Sequence, residues 1–223
     1  MQDFSEGLAA VGVGGKRNAS GEVTTMDGGK WGFIDATGKI IIPPQFDEVK
    51  PFSSGVAAVW SQQKKKFGLI DRTGALIVPY VFDAIEPFYE GLAVVRGPDG
   101  SGYITPDGRL AIRTTEFDGS SMFSEGLAVV QQGKAVAGFI DMTGRFRIPM
   151  RFAQAREFSE GLAAVESDGN WGYIDKTGAM VIQPRFTSAT AFTDGLALVE
   201  TGAFWSYIDT NGAIILDDVF RSR

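Results

Sequence analysis

An internal repeat of about 35 residues constrains this chain more than any other feature. The segment Phe-Ser-Glu-Gly-Leu-Ala-Ala-Val at residues 4–11 recurs with small changes along the whole sequence. A period of roughly 20 to 50 residues is typical of solenoids and propellers, in which each copy is one supersecondary unit. The chain contains six copies, and the first carries an insertion at about residues 12–29. The anchoring glycines are Gly7, Gly55, Gly91, Gly126, Gly161 and Gly195, with spacings of 48, 36, 35, 35 and 34 residues.

Each repeat also contains a tryptophan-glycine element, a turn and a short apolar segment. In the first repeat these are Trp31-Gly32-Phe33-Ile34-Asp35, then Thr37-Gly38, then Ile40-Ile41-Ile42-Pro43. A linker with two phenylalanines six residues apart leads into the next repeat. The third repeat departs most, with Thr105 in place of the aspartate, and the sixth has Ser206 in place of the glycine.

These motifs resemble the WG β-repeat family of bacterial proteins. The resemblance covers nearly the whole chain apart from residues 12–29. It implies a β-repeat protein that acts in binding. It carries over no catalytic residues, because the signature of the family is structural.

The segments of the repeat predict an all-β fold. Runs of four to six residues rich in Val, Ile, Phe, Tyr and Trp alternate with Gly, Asp, Thr and Pro, and this pattern is typical of strands and turns. In several predicted strands, such as Leu127–Val130, the residues that point to either face of the sheet are apolar. Such strands should be covered on both faces. Small sheets stacked face to face are found in propeller blades and in solenoid rungs. We expect a single domain, 1–223, folded as a six-bladed β-propeller, with an open β-solenoid of stacked hairpins as the alternative.

The phase of the repeat favours the propeller. Counting from Gly195 through the C-terminus and on from Met1 to Gly7 again gives the 35-residue period. Strands from both termini would then complete one blade and close the ring. An open array cut at the same phase gives the same count, but it needs polar capping units, and neither end resembles one. We expect a monomer.

Composition excludes several functional classes. The chain has no histidine and no cysteine, so imidazole-based triads, thiol nucleophiles, disulfides and typical zinc sites are excluded. The net charge of −6 argues against nucleic acid as a partner. No apolar run is long enough to span a bilayer and no signal peptide is evident. We therefore expect a soluble protein without membrane insertion, either cytoplasmic or, if a leader was removed, secreted or periplasmic.

Two sets of recurring residues could carry chemistry. Carboxylates are candidates for glycosidic catalysis or calcium binding, and exposed aromatic rings are candidates for stacking on sugars. Because the carboxylates recur in nearly every repeat, we interpret them as structural. We interpret the aromatic rings as core, because they lie on strands and vary among Trp, Phe and Tyr. The carboxylates are Glu6, Glu90, Glu125, Glu160 and Asp194 beside the glycine and Asp35, Asp71, Asp141, Asp175 and Asp209 in the turn; the aromatic positions are Trp31, Phe67, Tyr103, Trp171 and Trp205.

Departures from the repeat are the better candidates for a binding site. Trp60 replaces residues that are mostly polar in the other repeats, so we expect it to be exposed. It is followed by Lys64, Lys65 and Lys66, the densest positive cluster of the chain, and the insertion contributes Lys16 and Arg17. An exposed tryptophan beside cations is a plausible protein contact.

The sequence therefore predicts a non-catalytic binding scaffold with a protein partner, contacted through Trp60, Lys64, Lys65, Lys66, Lys16 and Arg17. We expect no enzyme activity, cofactor or metal. The alternatives are a multivalent carbohydrate-binding module and, with less support, a carboxylate-dependent glycoside hydrolase or lyase that would use Arg113, Glu116 and Asp118 of the divergent third repeat.

Overall fold

The computed structural model describes the backbone of residues 3–14, 16–17, 23–25, 29–115, 117, 119–133, 136–202 and 204–221. The side chains of these residues are described except at 16–17, 23–25 and 218–221. Within these ranges every regular element is a β-strand. No helix there is both long enough and apolar enough to cross a membrane. The described residues form two compact units, Met1–Arg113 and Thr114–Arg223.

The first unit contains three antiparallel sheets and a short hairpin. Sheet 1 has the order β1 (Leu8–Val13), β4 (Lys30–Asp35), β5 (Ile40–Phe46), and β2 (Lys16–Arg17) pairs with β3 (Val23–Thr25) in the insertion. Sheet 2 consists of β6 (Glu48–Val49), β7 (Ala57–Ser61), β8 (Lys66–Ile70) and β9 (Leu76–Phe82). Sheet 3 consists of β10 (Ala84–Ile85), β11 (Ala93–Gly97), β12 (Gly100–Ile104) and β13 (Leu110–Arg113).

The second unit contains three four-stranded sheets of the same order. Sheet 4 consists of β14 (Gly119–Ser120), β15 (Leu127–Gln132), β16 (Val136–Asp141) and β17 (Phe146–Phe152). Sheet 5 consists of β18 (Gln154–Ala155), β19 (Leu162–Ser167), β20 (Asn170–Asp175) and β21 (Met180–Phe186). Sheet 6 consists of β22 (Ser188–Ala189), β23 (Leu196–Thr201), β24 (Phe204–Asp209) and β25 (Ile214–Arg221).

The all-β repeat fold predicted from the sequence is confirmed. Each repeat supplies three long strands, and the linker supplies a short fourth strand that pairs with the next repeat. Closure of the ring stays a prediction, because the C-terminal positions that correspond to the short strand Glu48–Val49 are 222–223, outside the described residues. The assignment of 1–223 to one domain also stays a prediction.

Sheets that follow one another within a unit pack face to face. One core is formed by Leu162, Tyr173 and Ile182 of sheet 5 against Val199 and Ile208 of sheet 6, and Phe192 lies in the same cluster. Three corresponding cores join sheets 1 and 2, sheets 2 and 3, and sheets 4 and 5. The prediction that inner strands are buried on both faces is confirmed for sheets 2 and 5, because each of them contributes to a core on either side.

Two polar contacts repeat alongside these cores. The serine hydroxyl before the anchoring glycine donates to the phenylalanine carbonyl of the next repeat, at 2.6 Å from Ser5 to Phe52 and 2.7 Å from Ser159 to Phe192. The neighbouring glutamate accepts from the anchoring N–H of the next repeat, at 2.9 Å from Gly195 to Glu160. Both contacts satisfy backbone groups at the tight turn and fix the register between repeats.

The glycine of the tryptophan-glycine element allows close approach of the third strand. A Cβ built on Gly172 would lie 2.5 Å from the carbonyl oxygen of Ile182 and 2.8 Å from the nitrogen of Pro184. The pairing of β20 with β21 changes register across this glycine, between Trp171 and Tyr173, and again between Tyr173 and Ile174. A side chain at this position would therefore collide with the backbone of the bulged strand.

We predict that Gly172→Ala lowers the free energy of unfolding by at least about 2 kcal/mol, because the added methyl group overpacks against backbone atoms that cannot move without breaking the strand pairing. Gly119→Ala is the matched control, because a Cβ at Gly119 meets no atom within 4 Å. The control should change the free energy by less than about 1 kcal/mol. Urea denaturation of the two variants and the wild type would measure both effects, and equal stabilities would contradict the prediction.

Candidate functional site

The recurring turn aspartates accept hydrogen bonds from the turns that contain them. Asp175 accepts hydrogen bonds from the N–H of Thr177 at 2.9 Å, from its hydroxyl at 2.6 Å and from the N–H of Ala179 at 3.0 Å. Asp35, Asp71 and Asp141 make the same set of contacts, and Asp209 makes both backbone contacts. The threonine hydroxyl is the main cause that lowers the pKa of Asp175 below its ordinary value of 3.8. The interpretation of these carboxylates as structural is confirmed.

In the third repeat the aspartate and threonine exchange places. Thr105 stands where the other repeats have aspartate, and its hydroxyl donates to the carboxylate of Asp107 two residues later. Asp107 also accepts from the N–H of Arg109 at 3.4 Å, and the Thr105 hydroxyl is the main cause that lowers the pKa of Asp107. The turn therefore keeps its acidic hydrogen-bond acceptor from a different position, which the repeat pattern alone did not show.

The second set of carboxylates lies at the contacts between repeats. Glu6 accepts from the N–H of Gly55 at 3.0 Å, and Glu125 accepts from the N–H of Gly161 at 3.1 Å. Glu125 also forms an ion pair of 3.0 Å with Lys176. Residues at this position have positive φ, for example 55° at Glu160, so the chain turns sharply here. These acidic side chains stabilise the stack of repeats.

A second pair of departures is joined by a hydrogen bond in the sixth repeat. Ser206, which replaces the glycine of the tryptophan-glycine element, is buried, and its hydroxyl donates to the carboxylate of Asp217. Asp217 itself replaces the proline found at position 43 in the first repeat. The sequence shows both substitutions, but only the tertiary structure shows that they are partners.

The five aromatic residues listed from the sequence occupy two different positions of the repeat, so their alignment is corrected here. Tyr103 pairs with Ile112, as Phe33 pairs with Ile42, so Tyr103 belongs to the fully buried class and Ser101 occupies the tryptophan position of the third repeat. Trp171 is buried with Arg156 over its ring, while Trp31, Phe67 and Trp205 are partly buried. The core assignment is therefore right for Tyr103 and Trp171 and only partly right for the other three.

The hairpin formed by β7 and β8 holds Trp60. Its ring packs on Phe67 with centroids 4.7 Å apart and planes tilted by 57°, and its Nε1 lies 3.5 Å from Oε1 of Gln62. Trp60 is partly buried, so the expectation of an exposed ring is only partly right. The cross-strand neighbour Phe67 covers part of the indole, because the two residues face each other in the β7–β8 register.

The three lysines of this hairpin are not equivalent. Lys66 forms an ion pair of 2.5 Å with Asp83. Lys64 and Lys65 are exposed at the turn, and the Lys64 ammonium lies 5.4 Å from the centre of the Tyr80 ring. Gln62 donates its N–H to Asp47 at 2.8 Å, which fixes the base of the turn. The hairpin thus presents two lysines next to a partly exposed aromatic pair.

The structure does not bring the other predicted contact residues together with this hairpin. Lys16 and Arg17 lie on β2, but their side chains are outside the described residues. Glu116 and Asp118 of the enzyme hypothesis are also outside, and Arg113 donates to the carbonyl of Asp99 at 2.5 Å. Among the described side chains there is no cluster of three or more residues suited to a metal ion.

One charged cleft was not foreseen from the sequence. It has a volume of about 390 Å³ and lies between sheets 4 and 5, beside the ion pair of Glu125 with Lys176. Asp141 and Arg147 also line it. Asp141 already accepts hydrogen bonds within its turn, and Glu125 already joins two repeats. We therefore attribute this cleft to the packing of the repeats.

Comparisons with known proteins agree with this architecture. The model of the WG containing repeat family matches residues 31–59, 67–96, 102–134, 138–171 and 171–203. No curated protein matches the chain in sequence. The structure of a eukaryotic initiation factor is 14% identical with a TM-score of 0.54, over 83% of this chain and 60% of that one.

Two other solved structures are similar at the level of fold. The computationally designed Ika8 protein is 15% identical with a TM-score of 0.50, over 87% of this chain and 70% of that one. Hsv2 of Kluyveromyces lactis is 13% identical with a TM-score of 0.50, over 76% of this chain and 61% of that one.

The fold is therefore that of an all-β repeat protein whose structural neighbours are propellers. Because the family model matches more than half of its residues, the chain belongs to the WG containing repeat family.

We predict that stability falls as the pH is lowered below about 4, because the turn aspartates have a lower pKa in the folded state than the ordinary 3.8. Their contribution is present above the unfolded pKa and is lost as the pH falls through the folded pKa. Asp175→Asn should lower the thermal midpoint at neutral pH and reduce its dependence on acid. Melting curves followed by circular dichroism would test this, and an unchanged midpoint and pH dependence in the variant would contradict it.

Proposed function

We propose that this protein is a non-catalytic binding scaffold that docks a protein partner through the β7–β8 hairpin. The observation that supports this most directly is the arrangement of Trp60, Lys64 and Lys65. Trp60 is partly exposed against Phe67, and both lysines are exposed at the adjacent turn. A tryptophan at a rigid site is a frequent energetic centre of protein interfaces, and exposed cations beside it attract an acidic partner.

The rigid setting of the hairpin supports the proposal. Ser61 accepts the backbone N–H of Lys65 at 2.7 Å, and the N–H of Lys64 points to the Ser61 hydroxyl at 3.3 Å. The turn is tied to the preceding linker through the contact of Gln62 with Asp47. A preorganised loop loses less conformational entropy on binding than a mobile one.

The use of the recurring carboxylates supports binding rather than hydrolysis. Asp175 and its equivalents accept hydrogen bonds within turns, and Glu160 and its equivalents accept them between repeats. A catalytic carboxylate pair needs two side chains that are free to face a substrate at a defined separation. The residues that break the repeat are therefore the better candidates for function.

The chemistry of the hairpin indicates the partner surface. Lys66 is neutralised by Asp83, whereas Lys64 and Lys65 belong to none of the ion pairs found in the described part of the chain. The partner should therefore offer carboxylates next to an apolar patch that covers Trp60 and Phe67. Such a contact is weakened by salt, because exposed charges contribute to it.

We predict that Trp60→Ala and the double change Lys64→Glu with Lys65→Glu each weaken partner binding at least tenfold, which corresponds to about 1.4 kcal/mol. Proteins captured on the immobilised chain would be identified by mass spectrometry, and the affinity of each for the variants would be measured by calorimetry. The lysine variant should lose affinity mainly through slower association, because it removes electrostatic attraction.

The matched control is the double change Lys39→Glu with Arg96→Glu, which changes the net charge by the same amount. It removes two exposed cations from the same unit, and Arg96 stands at the position equivalent to Trp60 in the third repeat. The control should bind as the wild type does. If both hairpin variants keep their fold by circular dichroism and bind every captured partner with unchanged affinity, the proposal is wrong.

A further inference from the structure

In the second repeat, the side chain of Lys50 joins sheet 2 to sheet 3. Its ammonium donates to the carbonyl of Ile85 at 2.5 Å and lies 3.3 Å from a carboxylate oxygen of Glu86. It also lies 5.7 Å from the centre of the Phe67 ring, which stands at the tryptophan position of the same repeat. A cation and an aromatic ring therefore fill the space beside the short strands of these two sheets.

The fifth repeat has a similar pair. Arg156 stands at the position of Lys50, because the N–H of Arg156 donates to Ala164 as the N–H of Lys50 donates to Ala58. The guanidinium carbon of Arg156 lies 5.1 Å from the centre of the Trp171 ring. A cation over an aromatic ring is a favourable contact, and it is found in both repeats at the same position.

The fourth repeat has neither the cation nor the ring. Ser121 stands at the position of Lys50, and its N–H donates to Val129 at 2.9 Å. Ala137 stands at the tryptophan position, because it pairs with the last residue of β17 as Trp171 pairs with the last residue of β21. Two short side chains thus replace a long cation and a large ring.

A cleft of about 270 Å³, the Gln131–Glu157 cleft, lies at this position between sheets 4 and 5 of the second unit. Val129 and Gln131 of β15 line it on one side, and Ala155 and Glu157 line it on the side of sheet 5. It shares no lining residue with the charged cleft beside Lys176. The remaining lining residues come from β14 and the position after it: Gly119, Ser120 and Ser121.

The carbonyl that holds Lys50 has a counterpart in the Gln131–Glu157 cleft. Ala155 stands at the position of Ile85, because Ala155 pairs with Val165 as Ile85 pairs with Val95. Ala155 lines the cleft in the fourth repeat's contact with the fifth, as Ile85 accepts from Lys50 in the second repeat's contact with the third. The backbone that receives an ammonium in the first unit is therefore repeated beside this cleft.

The carboxylate also has a counterpart, displaced by one residue. Arg156 stands at the position of Glu86, but its guanidinium lies over Trp171, which belongs to the core between sheets 5 and 6. Glu157 follows it and lines the cleft between sheets 4 and 5. Glu157 belongs to none of the ion pairs found in the described part of the chain. The cleft thus combines a carboxylate available for a cation with small apolar side chains.

We propose that the Gln131–Glu157 cleft binds the ammonium end of an alkylamine from outside the chain, in the way that Lys50 is bound within it. The aliphatic stem packs on Val129 and Ala155, and the ammonium donates to the Glu157 carboxylate. A primary ammonium is a compact charge with three donors, so it can contact a carboxylate and a carbonyl together. The amine is either a free molecule or the lysine side chain of another protein. The proposal does not depend on the role proposed for the β7–β8 hairpin.

The probe is n-butylammonium, which has the stem and the charge of a lysine side chain. Titration of the whole protein, followed by two-dimensional amide NMR, should give saturable shifts for the signals of the residues that line the cleft. The neutral analogue n-butanol has the same stem and should give no saturable shift over the same concentration range. A wild type whose cleft signals do not respond saturably to butylammonium would overturn the proposal.

Glu157→Gln should weaken the binding of butylammonium at least about threefold, the size expected for the loss of an exposed ion pair. Glu48→Gln is the matched control, because Glu48 is exposed, lies in the other unit and belongs to none of the ion pairs among the described residues. It changes the net charge by the same amount and should bind as the wild type does. Equal affinities of the wild type and the Glu157→Gln variant would contradict the proposed contact.

Ser121→Lys tests the geometry independently of the carboxylate. The introduced side chain stands where Lys50 stands in the second repeat, so it should fill the cleft and prevent the binding of butylammonium. Ser121→Ala is its control, because it also removes the hydroxyl that accepts the N–H of Val129 at 3.1 Å but leaves the cleft open. It should retain binding. Melting curves would verify folding, and a folded Ser121→Lys variant that binds butylammonium like the wild type would overturn the proposal.

A glycine–lysine–glycine peptide with blocked ends distinguishes the two sources of the amine. If the peptide competes with butylammonium and binds at least tenfold more tightly, the ligand is a lysine side chain of a protein partner. If the peptide binds no more tightly than butylammonium, or shifts none of the cleft signals, the cleft is a site for free amines.

Discussion

The fold depends on the burial of both apolar faces of each small sheet against its neighbours. A sheet of three or four short strands cannot form a core alone, and each fully buried large side chain contributes about 1.5 to 3 kcal/mol. Phe52, Phe158 and Phe192 each lie against the aromatic ring of the preceding repeat, with centroids 4.7 to 5.0 Å apart. Stability is therefore built up between repeats.

The polar residues of the repeat serve this stacking. The aspartate of each turn accepts N–H groups that would otherwise be unpaired, and the Ser-Glu pair bonds to backbone atoms of the next repeat. Because the recurring side chains are used in this way, chemistry directed at a partner must come from positions where the repeats differ. Trp60 with Lys64 and Lys65 is such a position in the described structure.

The sequence predicted the repeat units, their strands and the structural use of the turn aspartates, because these follow from local spacing and turn chemistry. It misplaced Tyr103 in the tryptophan class, although Gly102 aligns with Gly32 and puts Tyr103 at the position of Phe33, which the pairing of Tyr103 with Ile112 confirms. It also predicted an exposed Trp60, which Phe67 covers in part. The exchange of Thr105 with Asp107 and the pairing of Ser206 with Asp217 were missed, because a departure at one site does not indicate its partner.

The sequence by itself determined that the chain is a tandem β-repeat protein of the WG type, without histidine or cysteine chemistry. That information is local, since strand patterning and turn residues are encoded within each 35-residue copy. Only the tertiary structure decided which carboxylates are engaged, which substituted residues are partners and which cations remain available. These depend on contacts between segments that are distant in sequence, such as the hydrogen bond of Ser206 with Asp217 and that of Gly161 with Glu125.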